Sequence, residues 1–234
     1  ASASEPGHGL SAMRDLTPLE ARVLAVLVEK QATVPDTYPL SLNALLAGAN
    51  QKTARDPVME AREPELTATI DELKLLSLLV EVSGARVLRY EHNMGRVLAL
   101  PSAAVALLAV LMLRGPQTSA ELRQNCERLH RFADISSVEG FLEELAAKAP
   151  PRVVRLARAP GTREPRWAHL LCGPVDDAAA SLAATGSLDQ ARGDEPSVGE
   201  LAALRAELAR QGADLQRLQG LVARLARELG LEMD

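Results

Sequence analysis

The side chains most able to do chemistry in this sequence are its arginines, and they are unevenly spread. Arg152, Arg155, Arg158, Arg163 and Arg166 follow Pro150-Pro151 closely, Arg123, Arg128 and Arg131 lie just upstream, and Arg86 and Arg89 form a smaller group. Guanidinium groups repeated along a β-ribbon suit contacts to a phosphate backbone. The plainer account is that alternate strand positions face water, where arginine is common. A second candidate is the polar run holding Asn50, Gln51, Lys52 and Arg55, a surface loop that could meet a partner. Its structural alternative has Asn50 finishing a helix and Arg55 pairing with Asp56 or Glu60.

Other chemistries find less. Cys126 and His130, and His169 and Cys172, are each spaced for metal ligation, but neither pair has a second pair beside it. Cys126 reads as a small core residue, and His92 as a hydrogen-bonded structural one. No Ser-His-Asp order, glycine-rich phosphate loop or HExxH helix is present. No catalytic residue, metal or cofactor is therefore assigned, and no enzyme is expected.

These side chains need elements to position them. Thr17-Pro18-Leu19-Glu20 has the form of a capping box with proline in the first turn and predicts a helix to about Lys30. Thr33-Val34-Pro35 reads as a short extended piece, and residues 40–49 as a second helix. Residues 50–62 read as an ordered loop. Pro64 opens a third helix with Leu66, Ile70, Leu73 and Leu76 on one face. Leu79 to Val82 and Arg86 to Tyr90 read as two strands about a turn at Ser83-Gly84-Ala85. The order then repeats. Leu107 to Leu111 echoes Val23 to Leu27, and Gly115-Pro116 ends that helix. Thr118 to Glu121 opens the next, Ser136 to Glu139 a third, and Pro150-Pro151 stops it. Val153 to Leu156 and Arg166 to Leu170 are strands about a turn at Pro160-Gly161. Repetition over this length suggests duplication of a whole domain, with two separate small cores, each finished by a β-ribbon.

The chain has 234 residues and a net charge of −5. Residues 101–175 carry ten Lys/Arg against seven Asp/Glu and form the only stretch with a bias toward polyanions. Aromatics make up 2% of the sequence, which leaves few rings for stacking on bases. No apolar run is long enough to cross a membrane, and the two cysteines show no pairing pattern, so a reducing cytoplasm is the expected location. Residues 1–15 read as a disordered leader rather than a signal peptide, and residues 176–198 as a flexible linker. In residues 199–232, Leu201, Leu204, Leu208, Leu215, Leu218, Val222, Leu225 and Leu229 recur in heptads, the pattern of a coiled-coil seam between two copies. The same stripe could instead fold back on its own chain.

Several long stretches resemble a known family. Leu19 to Leu24, Glu29-Lys30-Gln31, Pro35 to Leu45, Asn50-Gln51-Lys52, Arg55 to Met59, Tyr90-Glu91-His92, Leu113 to Thr118 and Glu164-Pro165-Arg166 are similar to the YceH-like family of bacterial proteins. The resemblance covers about residues 16–175 and departs from the family at Asn93-Met94-Gly95, where a longer, more polar link is usual. It implies a mainly α fold with small β-hairpins (α+β): two tandem winged-helix domains, at residues 16–98 and 99–175. It implies no particular activity. Two expectations follow. In the first, the protein is a non-enzymatic DNA-associated regulator, a homodimer whose wings meet double-stranded DNA through Arg86, Arg89, Arg152, Arg155, Arg158, Arg163 and Arg166. In the second, it is an adaptor that uses the winged-helix fold to hold another protein, with no nucleic acid. The third helices carry more acid than base, which favours the adaptor. The arginine-rich second hairpin favours the regulator, to which the sequence leans.

Overall fold

The structure, a computed structural model, describes residues 13–82, 87–158 and 164–175. It is a mixed α/β arrangement of seven α-helices and small antiparallel sheets among those residues. The turn at residues 83–86, the tip at 159–163, the leader and the linker lie outside them in whole or large part. So does the unit Ser187–Asp234, with all of the heptad residues.

Helix α1 spans Pro18–Thr33, and its start is the expected capping box. Thr17 Oγ1 accepts from the Glu20 N–H, and the Glu20 carboxylate accepts from the Thr17 N–H. The helix runs three residues past Lys30. The extended piece expected at Thr33-Val34-Pro35 is instead the helix end and a tight 3₁₀ turn at Pro35–Thr37. Pro35, with its φ fixed and no N–H to donate, opens the turn. The strand lies further on, as β1 at Leu40–Ser41. Ser41 then caps α2, Leu42–Ala49. After the loop 50–62 comes α3, Glu63–Leu75, followed by β2, Leu79–Val82, and β3, Arg89–His92. The returning strand thus begins later than Arg86, and a short helix α4, Met94–Val97, follows it. The sheet order is β1-β3-β2, with Leu40 opposite Tyr90 and Val80 opposite Glu91.

The second half repeats the order. Helix α5, Ser102–Arg114, ends at Gly115, whose φ of 72° favours a residue without Cβ. Helix α6, Ser119–Cys126, starts with the expected Thr118–Glu121 box. Helix α7, Ile135–Ala146, is capped by Asp134 and not by the box expected at Ser136, because the Asp134 carboxylate already accepts from the Ser137 N–H and hydroxyl. Strands β4, Val153–Arg155, and β5, Trp167–His169, pair as a ribbon. Gln117 bridges to Trp167 through two backbone hydrogen bonds of 2.7 and 3.1 Å, standing where β1 stands in the first half.

The two separate cores expected from the repeat are in fact one. Helices α1 and α5 pack along each other, and buried residues of both halves join in a single cluster that includes Leu24, Leu27, Leu45, Leu73, Leu107, Leu111, Leu142 and Trp167. The cause is in the two helices: residues 20–28 of α1 and 103–113 of α5 are buried without interruption. A helix covered on every side needs neighbours on every side, and each half supplies part of the other's cover. Each fully buried leucine contributes roughly 1.5–3 kcal/mol. Leu16 adds a tie, its N–H donating to the Leu171 carbonyl at 2.7 Å.

Candidate functional site

The loop 50–62 is built from beneath. Asn50 ends α2, and its side-chain amide closes on the Ala61 backbone with two 2.8 Å hydrogen bonds, one given and one received. Two buried arginines fill the space below. Arg22, reaching up from α1, donates to the carbonyls of Ala49 and Pro57 at 3.3 and 2.7 Å. Arg55 donates to the Gly48 and Ala54 carbonyls and makes a two-pronged pair with Glu29 at 2.6 and 3.2 Å. Its partner is therefore Glu29 on α1, not Asp56 or Glu60. Burial lowers the Arg22 pKa. Gly48 and Ala49 are the last residues of α2, so both cations sit at the negative end of that helix, where free carbonyls and the dipole offset their charge. The Asp56 N–H donates to the Leu113 carbonyl at 2.7 Å and fastens the loop to the end of α5. Gln51 donates to Thr53 within the loop, and Lys52 is exposed. Of the four loop residues singled out in the sequence, then, Asn50 and Arg55 hold the loop and Lys52 stands on its outer surface.

Beside it, the 3₁₀ turn meets the ribbon. Tyr38 Oη accepts from the His92 N–H at 2.9 Å, and the two rings meet edge to face. His92 Nε2 lies 2.8 Å from Gln31 Oε1. Burial pushes the His92 imidazole down to about 4 and the Tyr38 phenol up to about 12. Both are neutral at pH 7, which suits a structural contact. His169 on β5 is likewise pushed down to about 4 by burial. Cys126 is fully buried among apolar side chains. Among the described residues no three His, Cys, Asp or Glu side chains gather as metal ligands, and no helix is long and apolar enough to cross a membrane.

The hairpin arginines divide into engaged and free. Arg89 donates to the Thr37 and Pro39 carbonyls. Arg166 donates to the Pro116 carbonyl and pairs with Glu121 at 3.3 Å. Arg152 is partly buried, and burial lowers its pKa. Arg155 is exposed, its guanidinium 5.9 Å from the Trp167 ring centre, and Arg158, Arg128 and Arg131 are exposed as well. Exposed Arg123 donates to the Ala133 carbonyl. Arg86 and Arg163 lie outside the described residues. The two third helices present acid to solvent: Glu63, Glu65, Asp71 and Glu72 on α3, and Glu139, Glu143 and Glu144 on α7. The base on α3, Lys74, is bound to Glu81 at 2.8 Å and Asp71 at 3.7 Å. No sequence pattern could have separated the engaged arginines from the free ones, because their acceptors are mostly backbone carbonyls far along the chain.

Residues 16–162 match the model of the family described as "Protein of unknown function, DUF480". A UPF0502 protein of Leptothrix cholodnii is 63% identical over 221 residues, covering 94% of this chain and 98% of that protein. UPF0502 proteins of Burkholderia orbicola and Burkholderia vietnamiensis are 62% and 61% identical, each covering 95% of this chain and 93% of their own length.

Proposed function

The chain belongs to the DUF480 family, and on that footing we propose that each half is a winged helix and that the pair serves as a non-enzymatic, protein-binding adaptor. The helix, short strand, helix, helix, ribbon order in both halves supports the winged-helix reading, as does the finer YceH-like resemblance. The observation that carries the adaptor is the acid on the outer faces of α3 and α7. In a DNA-reading winged helix the third helix enters the major groove. Here α7 would bring Glu139, Glu143 and Glu144 toward phosphate with no ion pair among the described residues, while on α3 Glu65 and Glu72 are held by Arg62 and Arg14 and Glu63 stands without a pair. The engagement of Arg89 and Arg166 with the chain's own groups removes two of the cations that would offset this repulsion. The heptads of residues 199–232 are read as a seam joining two copies, so the full chain should scatter light as twice 25.0 kDa; a monomer mass would exclude the seam.

A second reading keeps a DNA-associated regulator. It is favoured by Arg155 and Arg158, which stand exposed at the second ribbon. One titration separates the two. A labelled DNA duplex of mixed sequence is offered to the full chain at low salt and then at rising salt. The adaptor predicts no saturable binding. Tight binding that falls steeply with salt, and that weakens when Arg155 and Arg158 become alanine, would instead establish the regulator.

A further inference from the structure

Four of the seven large apolar side chains exposed among the described residues belong to one stretch: Leu75, Val80, Val87 and Leu88. The first ribbon explains three of them. Residues opposite one another in an antiparallel pair share a side of the sheet. Leu79 with His92, and Glu81 with Tyr90, make the inner side, where Leu79 and Tyr90 are buried. Val80 with Glu91, and Val82 with Arg89, make the outer side. Val80 is 40% exposed there, and Val87, two residues before Arg89, extends the row at 56%. Leu88 is exposed next to it.

The second ribbon shows what covers such a side. Val154 faces Ala168 in the register where Val80 faces Glu91. Val154, Ala168, Leu156 and Val175 form a small apolar cluster apart from the main core. The chain running out of β5 thus lays Val175 against its own ribbon. No described residue does the same for the first ribbon, whose chain turns from β3 into α4. The other difference lies in charge. Ala168 is replaced by Glu91, which makes no ion pair among the described residues, while the row's cation, Arg89, is spent on the Thr37 and Pro39 carbonyls.

We propose that the outer side of the first ribbon, Val80, Val82 and Val87 with Glu91, docks a short apolar segment of a partner protein that carries a lysine or arginine opposite Glu91. The segment lies where Val175 lies on the second ribbon, and its cation supplies the charge that Glu91 lacks. A second copy of this chain fits less well, since a two-fold contact would set Glu91 near Glu91. The inference rests on the adaptor reading and names the surface and the chemistry of its partner.

The test uses a display library of random ten-residue peptides selected on the full chain. Enriched peptides should combine Val, Ile or Leu with a Lys or Arg. Val80→Asp and Val87→Asp should each weaken their binding at least tenfold, and Val87→Asp should do so with an unchanged melting temperature, since its side chain is more than half exposed. Glu91→Gln should weaken it several-fold, and Glu91→Lys should shift selection toward acidic peptides. Selected peptides that bind all these variants as well as the parent chain would overturn this surface while leaving the adaptor intact, whereas salt-sensitive duplex binding would remove the adaptor itself. A halved mass in light scattering on Val80→Asp would assign the face to contact between copies and likewise overturn the proposal. Should Val80→Asp fail to fold, the Val87 and Glu91 variants decide.

Discussion

The two halves of the chain use one plan and finish it differently. Leu40, Ser41, Tyr90 and His92 in the first correspond to Gln117, Thr118, Trp167 and His169 in the second, with a constant offset of 77 positions. The spans between these shared points are equal, but the connections between helices are longer in the first half. Residues 34–41 join its first two helices where residues 115–118 suffice in the second, and 50–62 join the next two where 127–134 suffice. The second half fills its shorter connection with rings: His130, Phe132 and Phe141 stack edge to face at 4.7 and 5.9 Å between centres. The first half fills its longer one with Arg22 and Arg55. Rings bury well without partners, whereas a buried guanidinium must find acceptors for its donors. The long loop is therefore held in one shape by specific polar bonds, and the short one by packing.

That contrast is most exposed to failure at Arg55. Its side chain is fully buried, and Glu29 is 16% exposed. Removing one partner of a buried pair leaves the other charge stranded, so Arg55→Met should destabilise the chain by about 3 kcal/mol. Restoring neutrality with Glu29→Gln in the same chain should recover part of that loss. Arg123, which binds the Ala133 carbonyl of the shorter connection from an exposed position, should lose less than about 0.5 kcal/mol on change to alanine. Urea unfolding of the full chain gives all three values. Equal losses for Arg55→Met and Arg123→Ala would mean that the two connections are held alike.

Much of the shared plan is legible in the sequence because it rests on local chemistry. The boxes at Thr17 and Thr118 are written in four consecutive residues, and β2, β4 and β5 lie within one residue of where their apolar runs place them. Local signals mislead where two compete. Asp134 stands two residues before Ser136 and captures the helix start, and Pro35 turns the chain before it can extend into β1. The single core was partly legible, since α1 and α5 have no polar stripe to face water over most of their length. The arrangement around the loop was not. Glu29 lies 26 positions from Arg55, one carboxylate among many, and no spacing singles it out. Nor does any pattern tell that Arg89 and Arg166 are bound to the chain's own carbonyls while Arg155 stands exposed over Trp167. The uncovered side of the first ribbon becomes visible only once the two registers are laid side by side.

The histidines sharpen the comparison from the side of likeness. His92 and His169 occupy corresponding places at the ends of β3 and β5. Each has its Nδ1 buried with no partner among the described residues, and His92 Nε2 in addition meets Gln31. Burial nevertheless pushes both down to about 4 from an ordinary 6.5. Each ring is neutral in the folded chain over this range and takes up its proton on unfolding. Stability is therefore complete above about pH 6.5 and is lost as pH falls toward 4. Each ring should withdraw about 2 kcal/mol between pH 7.5 and pH 5. The carboxylates of Glu20 and Asp134, held below their usual range by hydrogen bonds from Arg14 and Ser137, add their loss only at lower pH. His92→Gln keeps a donor for Gln31 and removes one titration, so it should shrink the acid loss by about half, and His169→Gln should do the same. If burial acts alike in the two halves, the two variants will have parallel pH profiles from urea unfolding. A profile flattened by one substitution and untouched by the other would show that only one ribbon end is sealed from water, and the likeness of the halves would stop at the backbone.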